Sequence, residues 1–290
     1  MPALVHGLRP LGLAMSLLAV PTRSYSAPPP KESAAAAQLP SSFRWSSSGQ
    51  LISPKPDASH SVVSVKDPTV VQANGKWHLF MTTANTAGSW SLAYTSFTPQ
   101  SWSAPRTFQN AAPSGTLDYW TICDSAMCYL FSADDNGHVY RSETTAGEFP
   151  GGFRNTRLVL QDSKFALFEG GAVYRVQGTN TYLLLWEAIG GDGRRYHRSF
   201  TAQGLTGQWQ PLAATEANPF ARATNVTFPS GAWTRDISHG ELVRAGNDQT
   251  MTINPCRLQF LYQGLNPSAG GDYSQLPYRL GLLTQTNSSC

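Results

Sequence analysis

Three stretches, DPTVVQANGKWHLFMTTAN (67–85), DYWTICDSAMCYLFSADDNGHVYRSET (118–144) and EGGAVYRVQGTNTYLLLWEAIGGDGRRYHRSF (169–200), decide how this chain folds. Each opens on a carboxylate and then runs strand, polar turn, strand. Apolar and polar residues alternate along them as half-buried strands require, and no convincing 3.6-residue stripe competes. Asn74-Gly75 and Asn136-Gly137 are pairs that tolerate positive φ, which a two-residue hairpin demands. A third strand, residues 91–97, follows the first stretch. A fourth copy starts near His239-Gly240-Glu241 and runs through CRLQFLYQGL (256–265) to LPYRLGLLTQ (276–285). Meanders of three or four strands repeating every 40–50 residues or so predict an all-β chain built as propeller blades. A β-sandwich is the competing architecture, because hairpins alone do not determine closure. The acids decide between the two. Asp67, Asp118 and Glu169 head three successive copies at steps of 51 residues. In a propeller the innermost strands all start at one mouth of the central axis, so these carboxylates converge; in a sandwich they scatter.

Composition agrees with strands. Charged residues make up 13% of the 290, against a usual value of about 25%, while glycine (25) and proline (20) are abundant. The aromatic content of 11% excludes a disordered chain. Residues 11–20 (LGLAMSLLAV) form an apolar run bracketed by Pro10 and Pro21. A bilayer takes about 20 apolar residues, so ten suit the core of a secretory signal, with cleavage near Ser24, Ser26 or Ala27. The expected organisation is a signal peptide over 1–27, a linker over 28–38 and a propeller domain over 39–290, in a secreted, extracellular protein. Without Arg9 and Arg23 the formal charge of +3 falls to +1, and no nucleic-acid or membrane partner is expected. Cys123, Cys128, Cys256 and Cys290 lack the spacing of a zinc site, and an oxidising compartment favours disulfides, for which three pairings exist. Asn225 (NVT) and Asn287 (NSS) stand in glycosylation sequons.

Two carboxyl groups facing each other across a cleft are the equipment of glycoside hydrolysis: one protonates the leaving oxygen, the other activates water or attacks the sugar. A third carboxylate nearby raises the pKa of the acid by like-charge repulsion. A serine hydrolase is a distant alternative, because there is no G-x-S-x-G elbow and Asp236 near His239 lacks a placed nucleophile.

Seven segments carry a more specific likeness: LPSSFRWSSSGQL (39–51), VKDPTVV (65–71), ICDSAMCYLFSADDNGHVYRS (122–142), LFEGGAVYRV (167–176), LLLWEAIGGDGRRYHRSF (183–200), NVTFPSGAWTRDISHGELVR (225–244) and GDYSQLPYRLGLLTQTN (271–287). Together they resemble glycoside hydrolase family 62 over nearly all of residues 39–290. The resemblance implies a five-bladed β-propeller and an α-L-arabinofuranosidase that strips arabinose from arabinoxylan with inversion, acting as a monomer. It makes Asp67 the general base, Asp118 the aspartate that tunes the acid, and Glu169 the general acid. Base and acid of an inverting enzyme stand about 6.5–9.5 Å apart. By the same likeness Lys66 contacts arabinose, Tyr273 supports the xylan chain by stacking, and His239 lies beside a calcium ion. Calcium prefers oxygen, so most of its shell would be water. Tyr196 and Arg198 are candidates to line the cleft.

Three departures accompany the likeness. Only residues 98–117 separate the first copy from Asp118, where family members carry roughly one further blade, so about four blades are encoded here. The Ala-Ser-Asn-like run after the acid is replaced by Gly170, Gly171 and Ala172. Ser274 replaces an asparagine and Gln38 a cysteine, so by the resemblance Cys290 loses its usual partner; Cys123–Cys128 or Cys256–Cys290 are pairs left open, and the sequence does not choose among the pairings. The alternative function is therefore an inactive or carbohydrate-binding propeller that keeps the acids without assembling the cleft.

Overall fold

The computed structural model describes residues 38–73, 75–98, 101–102, 106–108, 118–149, 151–288 and 290. The expected signal peptide, the linker apart from Gln38, Asn74 of the first hairpin turn and most of the short 98–117 connection lie outside these residues.

Strand β1 (Trp45–Ser47) precedes the first blade. Blade 1 is the meander β2 (Val62–Ala73), β3 (Lys76–Asn85) and β4 (Trp90–Thr98), edged by β5 (Ser101–Trp102) and β6 (Arg106–Phe108). Blade 2 is β7 (Trp120–Cys123), β8 (Met127–Ala133), β9 (His138–Thr145) and β10 (Arg154–Gln161). Blade 3 is β11 (Glu169–Arg175), β12 (Thr181–Ile189), β13 (Arg195–Gln203) and β14 (Gln210–Pro211). Blade 4 comprises β15 (Val226–Thr227), β16 (Ser238–Leu242), β17 (Gln259–Gly264) and β18 (Arg279–Gln285). Strand β1 is inserted between β18, to which it is antiparallel, and β15, to which it is parallel and which forms the outer edge. The described residues thus form an all-β, four-bladed propeller, the blade number left by the short connection.

Alternation along the strands decides which blades touch. In blade 3 both faces are apolar. Ala172, Tyr174, Leu183 and Leu185 face blade 4 and pack on Phe260, Tyr262 and Leu283. Val173, Leu184 and Trp186 face blade 2 and pack on Ile122, Tyr129 and Phe131. A third cluster joins Val65, Leu79 and Met81 of blade 1 to Leu261 and Leu280 of blade 4. Among the described residues no apolar cluster joins blades 1 and 2. There, Phe80 and Leu92 on blade 1 and Leu158 on blade 2 are 36%, 40% and 48% exposed.

Both disulfides form as Cys123–Cys128 and Cys256–Cys290. The first bridges a directly opposed pair of the β7–β8 ladder. The two sequon asparagines are in use within the fold. Asn225 Nδ2 donates to the carbonyls of Phe43, Pro219 and Phe220, and Asn287 Nδ2 donates to that of Ser42. A glycan on either nitrogen has to displace these bonds. Among the described residues no helix is long and apolar enough to cross a membrane.

Candidate active site

Local backbone irregularities present the site residues. Asp67 sits in a bulge of β2: the pairs Lys66–Thr82 and Thr69–Phe80 leave two residues on β2 against one on β3. Its φ of 49° is left-handed, as is the 56° of Asp118 just before β7. Glu169 is the first residue of β11, and a second bulge follows it at Gly170-Gly171, opposite Trp186. A third bulge, in β16, carries His239. Bulges re-aim side chains and end regular pairing, and here they turn polar residues into the mouth of the propeller. Left-handed backbone at a non-glycine residue costs about 1–3 kcal/mol, which the surrounding structure must offset.

The Asp67 amide donates to Gln263 Oε1 at 2.7 Å, and the Gly170 amide donates to Asp118 Oδ2 at 2.9 Å. The second bond ties Asp118 to the residue after Glu169. His239 Nδ1 lies 3.7 Å from Asp67 Oδ1. Asp67, Asp118, His239 and Glu241 line a polar cavity of about 230 Å³ together with Thr82 of blade 1 and Gly171 of blade 3, so all four blades contribute to it.

Beneath Glu169 runs a network that sequence reading missed. Arg195 Nη1 donates to Glu169 Oε1 at 2.9 Å and to Glu187 Oε1 at 3.3 Å. Ser238 Oγ donates to that same Glu187 oxygen at 2.7 Å, and Gln263 Nε2 donates to Ser238 Oγ at 3.1 Å. Because Gln263 also holds the Asp67 amide, one chain of hydrogen bonds connects Glu169 to Asp67. Burial raises the Glu169 pKa and the charge of Asp118 adds to the rise, while Arg195 opposes it. Glu187 is fully buried, and burial pushes it up to about 7 against the pull of Arg195. Burial lowers the His239 pKa, yet Asp67, Asp118, Glu187 and Glu169 outweigh it and the net shift is upward.

Lys66 is only 2% exposed. Its Nζ lies 3.7 Å from the Trp90 ring centroid and 4.5 Å from that of Tyr273. Burial lowers its pKa, with Asp67 and Glu169 acting in the opposite direction. The likeness-derived pair Lys66 and Tyr273 is therefore brought to the acids. Tyr196 and Arg198 are not. Tyr196 is buried under the Arg222 guanidinium. Arg198 donates to the carbonyls of Ala214 and Ala166 and to Asp162, which fastens loops together. The reason is strand rise: three residues at about 3.3 Å each carry Arg198 some 10 Å down β13 from Arg195, the residue that reaches the mouth.

The glycine run after Glu169 has a steric explanation. A Cβ on Gly171 would stand 2.0 Å from the Trp186 ring, so the tryptophan fills the space of a residue-171 side chain. Gly170 adopts φ +66, and a Cβ there would meet Glu187 Oε2 and His239 Nδ1 at 3.0 Å. Ser274 lies in a single 3-10 turn, Tyr273–Gln275, and its Oγ and amide both donate to Oδ1 of the capping Asp272. As for calcium, no group of three or more His, Cys, Asp or Glu side chains is arranged so that it could hold a metal ion among the described residues. An ion beside His239 would be held chiefly through water.

Comparison with known proteins gives consistent matches. The family model described as glycosyl hydrolase family 62 matches residues 96–284. The α-L-arabinofuranosidase C of Cellvibrio japonicus is 37% identical over 85% of this chain and 48% of its own length, so the chain spans about half of that curated relative. The catalytic domain of a family 62 α-L-arabinofuranosidase from Coprinopsis cinerea is 47% identical, with a TM-score of 0.78, covering 87% of this chain and 100% of that one. An α-L-arabinofuranosidase from Podospora anserina, solved with cellotriose, is 37% identical with a TM-score of 0.77, covering 87% and 99%.

Proposed function

The chain belongs to glycosyl hydrolase family 62, and we propose that it is an α-L-arabinofuranosidase that removes arabinofuranosyl side chains from arabinoxylan with inversion. One observation carries the reading: Asp67, Asp118 and Glu169 come from three blades to one mouth, with a chain of hydrogen bonds running from the Glu169 carboxylate to the backbone amide of Asp67.

In this reading Asp67, ionised, takes a proton from a water that attacks the anomeric carbon. Glu169 accepts the Arg195 N–H on Oε1 and gives the proton on its other oxygen to the departing xylose hydroxyl. Burial and Asp118 keep that proton available by raising the Glu169 pKa. Arg195 opposes that rise without cancelling it, and the net shift of Glu169 is upward. Lys66 offers a cation beside Asp67 for arabinose hydroxyls. The test is arabinose release from wheat arabinoxylan by the purified chain; a folded chain that releases none overturns the hydrolase reading.

Among the described residues no apolar cluster joins blades 1 and 2, which favours a second reading, a propeller that binds xylan without cleaving it. Its signature is xylan binding by calorimetry with no arabinose release. We also propose secretion, from the apolar run at residues 11–20, and a water-mediated calcium ion beside His239. Calcium is tested by melting: a chelator should lower Tm and added calcium should restore it, and an unmoved Tm removes the ion.

A further inference from the structure

Trp90 has no part in the roles assigned so far beyond its contact with Lys66. It opens β4 at the mouth of the propeller, and it is 41% exposed beside Tyr273, which is 49% exposed. The two rings come from different blades, with centroids 6.3 Å apart and planes tilted by 34°. Their approach is built in. Asn85 Oδ1 accepts the amides of Ala87 and Ser89 and so shapes the turn that delivers Trp90. Gly88 in that turn adopts φ +76, and a Cβ there would stand 2.7 Å from Ser274 Oγ, so the glycine lets the blade 1 turn press against the loop that carries Tyr273.

Each ring has one side toward the Lys66 ammonium, which offsets part of the cost of burying that cation. Part of each residue stays open to solvent, and Tyr273 is near enough to Glu169 and Asp67 to feel their charge. Large exposed aromatic surface beside a polar cleft marks a binding face rather than packing. The apolar faces of β-1,4-linked pyranoses are flat and ring-sized, whereas an arabinofuranosyl unit alone sits deeper, at the carboxylates.

We propose that Trp90 is a substrate-binding residue that joins Tyr273 in a two-ring shelf for the xylan backbone, so that consecutive backbone sugars are gripped on either side of the Lys66 ammonium. The inference rests on the arabinoxylan reading above. It makes recognition of the main chain a joint task of blade 1 and blade 4, separate from the acids.

The test compares two substrates. Trp90→Ala should lower kcat/KM on wheat arabinoxylan roughly tenfold relative to kcat/KM on 4-nitrophenyl α-L-arabinofuranoside, which has no backbone, the loss entering through KM. Trp90→Phe should recover most of it. Equal losses on both substrates would overturn the shelf and assign Trp90 solely to Lys66. Calorimetry with unsubstituted xylohexaose, on the Glu169→Gln background, needs no turnover. Trp90→Ala should weaken its Kd by a similar factor, and an unchanged Kd overturns the proposal. If the parent cleaves neither substrate, the hydrolase reading fails while the xylohexaose titration still decides the shelf.

Discussion

At the scale of single residues, the protonation of Glu169 is governed by burial, by the charge of Asp118 and by the opposing charge of Arg195. Asp118→Asn removes one source of the upward shift, so the Glu169 pKa falls and its proton is lost at lower pH. The alkaline limb of the kcat/KM profile should therefore move toward acid, measured on 4-nitrophenyl α-L-arabinofuranoside between pH 4 and 9 or so. An unmoved limb removes the tuning role. The three acids were legible in the sequence because each heads a repeat, and topology converts that position into convergence. Arg195 and Glu187 were not. Arg194-Arg195 reads as ordinary strand alternation, and the burial that makes Glu187 unusual arises only when blade 4 supplies Ser238 against it.

At the scale of elements, three innermost strands bulge at a site residue, and the bulge in β11 is closed by a large neighbour. Gly171→Ala should cost about 1–3 kcal/mol by driving a methyl group into the Trp186 ring. Trp186→Leu should restore much of that loss in the double variant, since it frees the same volume. Urea denaturation of the two single variants and the double variant checks this; additive losses would show that the residues do not compete for space. Strands were readable from alternation, but Asn136-Gly137 is not a two-residue turn: the ladder ends at the Ala133–Val139 pair, and Asp135 and Gly137 are the residues with positive φ. The bulges were not readable, because register belongs to a pair of strands and a single strand's pattern does not report where its partner skips a residue.

At the scale of the whole molecule, the ring is built from three apolar interfaces, and the side between blades 1 and 2 lacks one among the described residues. Opposite faces of one blade should therefore respond differently to substitution. Leu79→Ala, on the face packed against blade 4, should cost about 2–5 kcal/mol. Leu92→Ser, on the other face, should cost under about 1 kcal/mol, as surface substitutions do. Comparable losses in thermal melting would mean that the second face is covered in solution. The short connection at residues 98–117 made a four-bladed ring legible in advance, but which faces it leaves bare follows from strand register and burial.

In the proposed mechanism Glu169 delivers the proton and Asp67 activates the water at one anomeric carbon. The most direct measurement is proton NMR of arabinose as it is released from wheat arabinoxylan by the parent chain and by Glu169→Gln. The parent should release the β-anomer first, and the variant should release none while still binding xylohexaose. Release of the α-anomer first, or undiminished release by Glu169→Gln, would contradict it.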